Sequence, residues 1–473
     1  MRRQYGDGTR FRLYPQYAEG YAEPETVVLS PPAGSLGPGP SDAAMYVADA
    51  VDKASPYDPP GYMPPYDRAE FPPAKPDADG HFDRIPTDAP EFLAAHVFGT
   101  VRRTLDLWEA YLGNPVRWWH ASFLPQLELV PVVDWANAQS GPGFLETGVE
   151  AADDGTVAPF ALNFDVIAHE TGHAILFSQI GVPEPAAIDG QFLAFHESFS
   201  DLVALVAGLH FRSVTERLLA ETGGNLYILN LVSRIGEISS HQQIRIASNT
   251  TTMADVADLR LGPDGQWIDP TGQGRNAHWL AQPLTGAVFD VLAEIFQDGL
   301  VSRGLIAPDD DPRGWTREEI AASLVQVQHA TGRALAAFTD GFFAALHDAR
   351  DVVGASMAHV MHTVAPQNFS FNEVAARFID GALQHVRADL APALIGHFLA
   401  HEIDPRRFLR LVPVRLQAGA QPRFNRPVQL RAVPPRPDCG CADPDAFILA
   451  HRLMPHPHRA AIRHRGRLQA ISV

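Results

Sequence analysis

Two histidines, His169 and His173, lie four residues apart in the chain. Glu170 directly follows the first of them. On an α-helix, residues four apart lie one turn above each other, so both imidazoles can approach a single ion from one side. Glu170 points to a neighbouring angle, where it can take a proton from a water molecule instead of binding the ion. The pattern predicts a metal site with a general base beside it.

A second segment, Phe195-His196-Glu197-Ser198-Phe199-Ser200-Asp201, strengthens this prediction because it places two carboxylates on one face of a second helix. Glu197 can complete a His, His, Glu set with an open fourth position, which is the catalytic arrangement for zinc. Asp201, one turn further on, can accept the outer N–H of a ligand imidazole and fix its orientation. The alternative is a chance pattern on a solvated face, since 20 histidines produce the first motif by accident in about one such chain in twenty.

The surrounding sequence predicts the elements that carry these residues. Apolar residues at spacings of three and four begin near Pro90 and stop near Gly113, which predicts a helix. Apolar, β-branched residues predict two strands, at 127–135 and 144–149, and Asp165 is expected to cap the helix of the first motif. The pattern is helical from 202 to about 409. The predicted organisation is a Pro/Gly-rich irregular arm (1–89), an α/β catalytic lobe (90–205), a helical lobe (206–410) and an extended tail (411–473).

The paired motifs resemble those of the thermolysin-like gluzincin metallopeptidases. This resemblance implies zinc ligands at His169, His173 and Glu197, a general base at Glu170 and a supporting acid at Asp201. The segment 133–138, Val-Asp-Trp-Ala-Asn-Ala, resembles the edge strand that pairs with substrate, with Asn137 and Ala138 at the matching positions. The segment 276–290 resembles the one that delivers a transition-state histidine, here His278, ahead of an apolar helix expected to begin near Leu284.

The resemblance implies an α+β, two-lobed zincin fold, with the edge strand and the zinc-binding helix in a mixed α/β N-terminal lobe and a mostly helical C-terminal lobe. The implied activity is zinc-dependent hydrolysis of peptide bonds by an endopeptidase, with a peptide or protein as substrate. The sequence departs from the family in three ways. No tyrosine occurs between Ala174 and Ser200, Gly208 stands where a calcium-bridging glutamate is expected, and the upstream arm is short for an inhibitory propeptide.

Composition limits the other possibilities. The 473 residues are 46% hydrophobic, enough for a sizeable core, and the net charge of −18 argues against nucleic-acid or anionic-membrane partners. The two cysteines, one residue apart, do not form a disulfide framework. We expect no signal peptide and no membrane span, and a cytoplasmic location is the default expectation. The oligomeric state stays open.

Two other functions remain open at this point. The first is a zinc aminopeptidase, although no acidic Gly-Ala-Met-Glu-Asn motif precedes the zinc helix. The second is a non-catalytic zincin-fold binding protein with structural zinc, but Glu170 is not needed to hold a metal. His401-Glu402 repeats half of the motif, and because Pro405 stands in place of a second ligand it predicts only the end of a helix.

Overall fold

The computed structural model of the chain describes most of residues 6–410. The described ranges are 6–17, 23–50, 52–68, 72–151, 157–183, 190–227, 234–239, 242–257, 260–261, 267–268, 274–275, 277–313, 317–367 and 369–410. The predicted tail, 411–473, lies outside the described residues.

Within these ranges the fold is mixed α/β, with long helices and small sheets. The helices are α1 (Pro90–Leu112), α2 (Phe164–Ile180), α3 (Gly190–Gly208), α4 (Arg212–Thr222), α5 (Met253–Val256), α6 (Ala277–Ser302), α7 (Arg317–Ala337), α8 (Thr339–Thr363), α9 (Phe371–Ala382) and α10 (Ala391–Ala400). The helix predicted from Pro90 is confirmed, and it ends where Gly113 adopts a left-handed φ of 75°. The end of α10 at Ala400 confirms the helix end predicted at His401-Glu402.

The strands are β1 (Gly8–Leu13), β2 (Glu25–Pro32), β3 (Met45–Val47), β4 (Leu127–Val130), β5 (Ala138–Gly141), β6 (Phe144–Thr147), β7 (Val149–Ala151), β8 (Val157–Pro159), β9 (Arg234–Ser239), β10 (Gln242–Ile246), β11 (Arg260–Leu261), β12 (Trp267–Ile268) and β13 (Gly274–Arg275). The largest described sheet has the order β3-β4-β6-β5. In it, β4 pairs in parallel with β3 and β6, and β5 pairs antiparallel with β6. The strand predicted at 127–135 ends at Val130, and a further strand, β5, comes before the one predicted at 144–149 in the chain.

The two faces of this sheet are buried against different parts of the chain. Leu127, Leu129 and Leu145 join the main core, where they pack with residues of α1 and α2. The opposite face carries Glu128 and Glu146, which the segment 50–66 covers. Lys53 of that segment is fully buried and lies 2.5 Å from Glu146.

The first 89 residues differ from the predicted irregular arm. Within their described part they form β1, β2 and β3, and Phe11 and Leu13 of β1 lie in the main core. Proline and glycine, on which the prediction rested, shape the turns between these short strands. Because β1 contributes side chains to the main core, this region belongs to the folded body of the protein.

The main core runs continuously from β1 to the end of α10, and within it α3 packs on both α2 and α6. The predicted lobe boundary at 205/206 falls inside α3. Among the described residues, no single helix has the length and hydrophobicity needed to cross a membrane. Helices α3 and α4 reach that length and hydrophobicity only when taken together, and they are bent by 95° relative to each other.

Candidate metal centre

Helix α2 carries the first motif and begins at Phe164, two residues earlier than a cap at Asp165 would allow. Asn163, in an extended conformation, is the N-cap, and its side chain accepts a hydrogen bond from the backbone N–H of Val166. Asp165 was predicted in this role, but it lies inside the first turn. An Asn side chain caps as well as an Asp, so the choice between the two depended on backbone geometry. The shift leaves His169 and His173 one turn apart on α2.

Helix α3 brings the third predicted ligand to α2, and Gly172 is what permits the close approach. A Cβ atom added to Gly172 would lie 2.9 Å from the Cα atom of Ser200, a backbone distance that cannot be relieved by rotating a side chain. The two helices therefore touch backbone to backbone within the motif itself. This crossing places Glu197 of α3 opposite both imidazoles of α2.

The three donor atoms form a compact, buried set. The His169 and His173 Nε2 atoms are 3.1 Å apart, and Glu197 oxygens lie 3.5 Å from the first and 3.7 Å from the second. All three side chains are buried. Ligand atoms around a tetrahedral zinc ion are about 3.3 Å apart, because zinc binds nitrogen and oxygen at about 2.0–2.2 Å. The spacing and the donor types of these residues fit a zinc ion.

Two further side chains contact this set from outside. His169 Nδ1 donates a hydrogen bond to Asp201 Oδ1 at 2.8 Å, which leaves Nε2 of the same ring with its lone pair toward the other donors. His278, at the start of α6, places its Nδ1 atom 2.8 Å from Glu197 Oε2. The structure thus brings together Asp201 and His278, which were predicted from separate parts of the sequence.

The electrostatic surroundings favour the forms of these side chains that bind metals. Burial holds the pKa of His173 well below its usual value, so the ring is neutral. Burial alone would raise the pKa of the Glu197 carboxyl, but the neighbouring His278 outweighs it, and that pKa lies well below its usual range. Neutral imidazoles and an ionised carboxylate are the ligand forms that metal binding requires.

Sequence comparisons supply no family for this chain: no family model matches it, and no curated protein matches it. Solved structures do match it. One of them is the precursor of protealysin, a metalloproteinase from Serratia proteamaculans, with a TM-score of 0.40 and 12% sequence identity. The match covers 79% of this chain and 91% of that chain. We base the proposed function on the site geometry.

The remaining predicted residues are Glu170, on α2, and Asn137 and Ala138, at the start of β5. Glu170 follows His169 on α2 and is buried. The predicted edge strand begins later than expected, since β5 starts at Ala138 and Asn137 precedes it. Ala138 packs with Val166 of α2, one turn before His169, so the start of the edge strand lies beside the metal-binding helix. The roles of Asn137 and Ala138 in binding substrate stay predictions.

Sequence reasoning did not assign a role to His196, which is stacked parallel to His173 with ring centroids 5.9 Å apart. Burial lowers the pKa of His196 to about 3, so a second neutral ring lies beside His173. Its place next to Glu197 in the sequence was the available signal. The helix that carries His278 was also predicted too short, because it was expected to begin near Leu284 but α6 begins at Ala277.

Proposed function

We propose that the protein hydrolyses peptide bonds in a zinc-dependent reaction of the gluzincin type, as an endopeptidase acting on an extended peptide. The observation that supports this most directly is the buried set of His169, His173 and Glu197, with its donor atoms within 4.8 Å of one another. Asp201 and His278 surround this set, and Glu170 lies beside it. A structural zinc site has no need of a buried glutamate that is not a ligand.

In the proposed reaction the zinc ion, when bound, would polarise the scissile carbonyl and make water acidic enough to react near neutral pH. Glu170 takes a proton from the attacking water as its oxygen bonds to the carbonyl carbon. As the C–N bond breaks, Glu170 passes that proton to the leaving amine. His278 donates a hydrogen bond to the carbonyl oxygen, which becomes negative in the transition state. No bond between enzyme and substrate forms.

Peptide would lie along β5, whose outer edge has no neighbouring strand among the described sheet members. Main-chain hydrogen bonds to such an edge provide affinity for extended peptides of many sequences. The segment around Asn137 and Ala138 would form the part of this edge nearest to the metal-binding helix.

The decisive experiment compares the wild-type protein with Glu170→Gln on a diverse peptide library, with and without chelator. We expect the variant to bind zinc as tightly as the wild type and to lose hydrolysis, because Glu170 handles a proton and not the ion. Turnover that persists in the variant would refute this mechanism. Substrates with a blocked N-terminus separate the two peptidase types, since an aminopeptidase does not cleave them.

A further inference from the structure

The helix that carries His278 is interrupted soon after it begins. Pro283 lies inside α6, six residues after the helix starts at Ala277. Proline has no backbone N–H to donate to the residue four positions earlier, and its ring crowds that carbonyl. The first turn of α6 is therefore joined to the rest of the helix less firmly than a regular turn. Contacts from outside α6 must fix the orientation of His278.

The segment 249–251 provides such contacts at the interruption. The Asn249 side-chain amide donates a hydrogen bond to the backbone oxygen of Gln282 at 3.0 Å, and the Thr251 hydroxyl donates to the Gln282 side chain at 2.9 Å. The Asn249 side-chain oxygen accepts the N–H of Thr251, also at 3.0 Å. Asn249 is buried, whereas Thr251 and Gln282 are half-buried, so this contact lies at the edge of the core.

This segment is in turn anchored to two helices. His401, at the end of α10, donates from Nδ1 to the Thr251 carbonyl at 2.6 Å, and its Nε2 lies 3.3 Å from Asp290 Oδ2 of α6. A Cβ atom added to Gly286 would lie 2.6 Å from the His401 ring and 2.9 Å from the Asn249 side chain. The segment is thus held tightly between α6 and α10.

On its other side, the first half of α6 is bonded to α3. His278 contacts Glu197, and the Thr285 hydroxyl donates to the Ser198 hydroxyl at 2.9 Å. The His278 turn therefore lies between α3, which supplies a predicted metal ligand, and the Asn249 amide.

We propose that Asn249 is a positioning residue for the proposed reaction. Its hydrogen bond to Gln282, one turn after His278, holds the start of α6 in the orientation in which His278 meets Glu197. This inference rests on the proposed function for its effect on turnover. Its effect on zinc binding follows from the His278–Glu197 contact alone.

The test is a double-mutant cycle with Asn249→Ala and His278→Ala, read by two measurements. Zinc affinity, from competition with a chelating dye, needs no substrate, and we expect Asn249→Ala to weaken it by about 10-fold, as loss of support for a ligand does. At saturating zinc, kcat should fall by about 10- to 100-fold with little change in KM. In the His278→Ala background both effects should disappear, because the residue being positioned is gone.

Matched variants separate positioning from general destabilisation. Asn249→Asp keeps the acceptor for Thr251 but loses the donor to Gln282, so it should behave like Asn249→Ala. Thr252→Ala removes the exposed cap of α5, which does not contact Gln282, and should change melting temperature only. If Asn249→Ala does not fold, Thr251→Val can replace it, since this change removes only the hydroxyl that donates to Gln282. We expect a smaller loss of zinc affinity, which should again be non-additive with His278→Ala.

Additive effects of Asn249 and His278 substitutions on zinc affinity would overturn the inference, as would unchanged zinc affinity and kcat in Asn249→Ala. A wild-type protein that binds zinc but cleaves no peptide would refute the proposed function instead. In that case the double-mutant cycle on zinc affinity would still decide the role of Asn249.

Discussion

Asp201 and His278 both support the candidate centre, but they act on different groups. Asp201 holds the outer nitrogen of His169, whereas His278 lies directly against the carboxylate of Glu197. Loss of His278 should therefore affect metal binding as well as the transition state. The sequence resemblance alone predicted only the second effect.

We expect His278→Ala to lower kcat by about 10² to 10³ at saturating zinc, the usual cost of removing a donor to a developing oxyanion. The same substitution should weaken zinc binding by about 10- to 100-fold, because Glu197 loses the neighbour whose Nδ1 atom lies 2.8 Å from its carboxylate. Steady-state kinetics and chelator competition measure the two effects separately. A variant with wild-type kcat at saturating zinc would show that His278 acts on Glu197 alone.

Asp49 gives the stability of the protein a specific dependence on pH. Its side chain is buried, and burial, aided by Glu91, raises the pKa of its carboxyl to about 7. Between pH of about 4 and 7 the folded state therefore binds more protons than the unfolded state. The free energy of unfolding falls as pH rises through this window, by up to about 1.4 kcal/mol per pH unit from this group.

Asp49→Asn should remove this dependence while tolerating the left-handed φ of 49° at this position. We expect the variant to match the wild type near pH 4 and to exceed its stability increasingly up to pH 7.5, as measured by urea unfolding at several pH values. Asp52→Asn is the matched control, since Asp52 has a similar φ of 67° but is exposed. A stability difference between Asp49→Asn and the wild type that did not change with pH would contradict this account.

At the scale of elements, the crossing of α2 and α3 determines whether the ligand set exists. Gly172→Ala adds a methyl group where the Ser200 backbone lies 2.9 Å away, so the helices must separate. We expect a loss of about 1–3 kcal/mol from overpacking, larger than the helix-propensity gain of up to about 1 kcal/mol, and weaker zinc binding. Urea unfolding of the zinc-free protein measures the first effect without the contribution of bound metal.

Gly208→Ala is the control within the same helix pair. Its added Cβ would meet Asp165 at 3.9 Å, an ordinary contact, so stability should stay the same or rise. Equal losses of stability in the two variants would show that the close contact of Gly172 with Ser200 does not limit the packing of the two helices.

At the scale of the whole molecule, the segment 50–66 joins the N-terminal region to the sheet through buried charge. Lys53 Nζ lies 2.5 Å from Glu146 and 3.1 Å from the ring centroid of Tyr57. Glu146 also accepts a hydrogen bond from Gln139 of β5. The covering segment and the edge strand thus share one carboxylate.

Lys53→Met should destabilise the protein by about 3–5 kcal/mol, because it leaves Glu146 buried without its counter-charge. Adding Glu146→Gln should recover part of this loss, since the remaining group is neutral. Arg212→Met, which breaks an exposed ion pair with Glu216, should change stability by no more than about 1 kcal/mol. Urea unfolding of the four proteins tests this, and a Lys53→Met loss as small as that of Arg212→Met would exclude a structural role for the pair.

Rules that act over a few neighbouring residues were enough to predict part of this structure. The spacing of His169 and His173 follows from the pitch of one helix, so the sequence alone placed both rings on one side of α2. The same reasoning located α1 and the end of α10, since helix periodicity and stop signals act over a few residues. The choice of Glu197 as partner came from motif spacing and resemblance, and the distances agree with it.

Tertiary structure decided what depends on long-range contacts. Burial of residues 50–66 against the sheet follows from the Lys53–Glu146 pair, whose members lie far apart in the chain. The contact of His278 with Glu197 depends on how a proline-interrupted helix is held by Asn249 and His401. Periodicity describes a single element, and it contains no information about which distant side chains meet when elements pack. Helix pitch therefore fixed the motif on α2, whereas the packing of α3 on α2 and of α6 on α3 decided which side chains surround that motif.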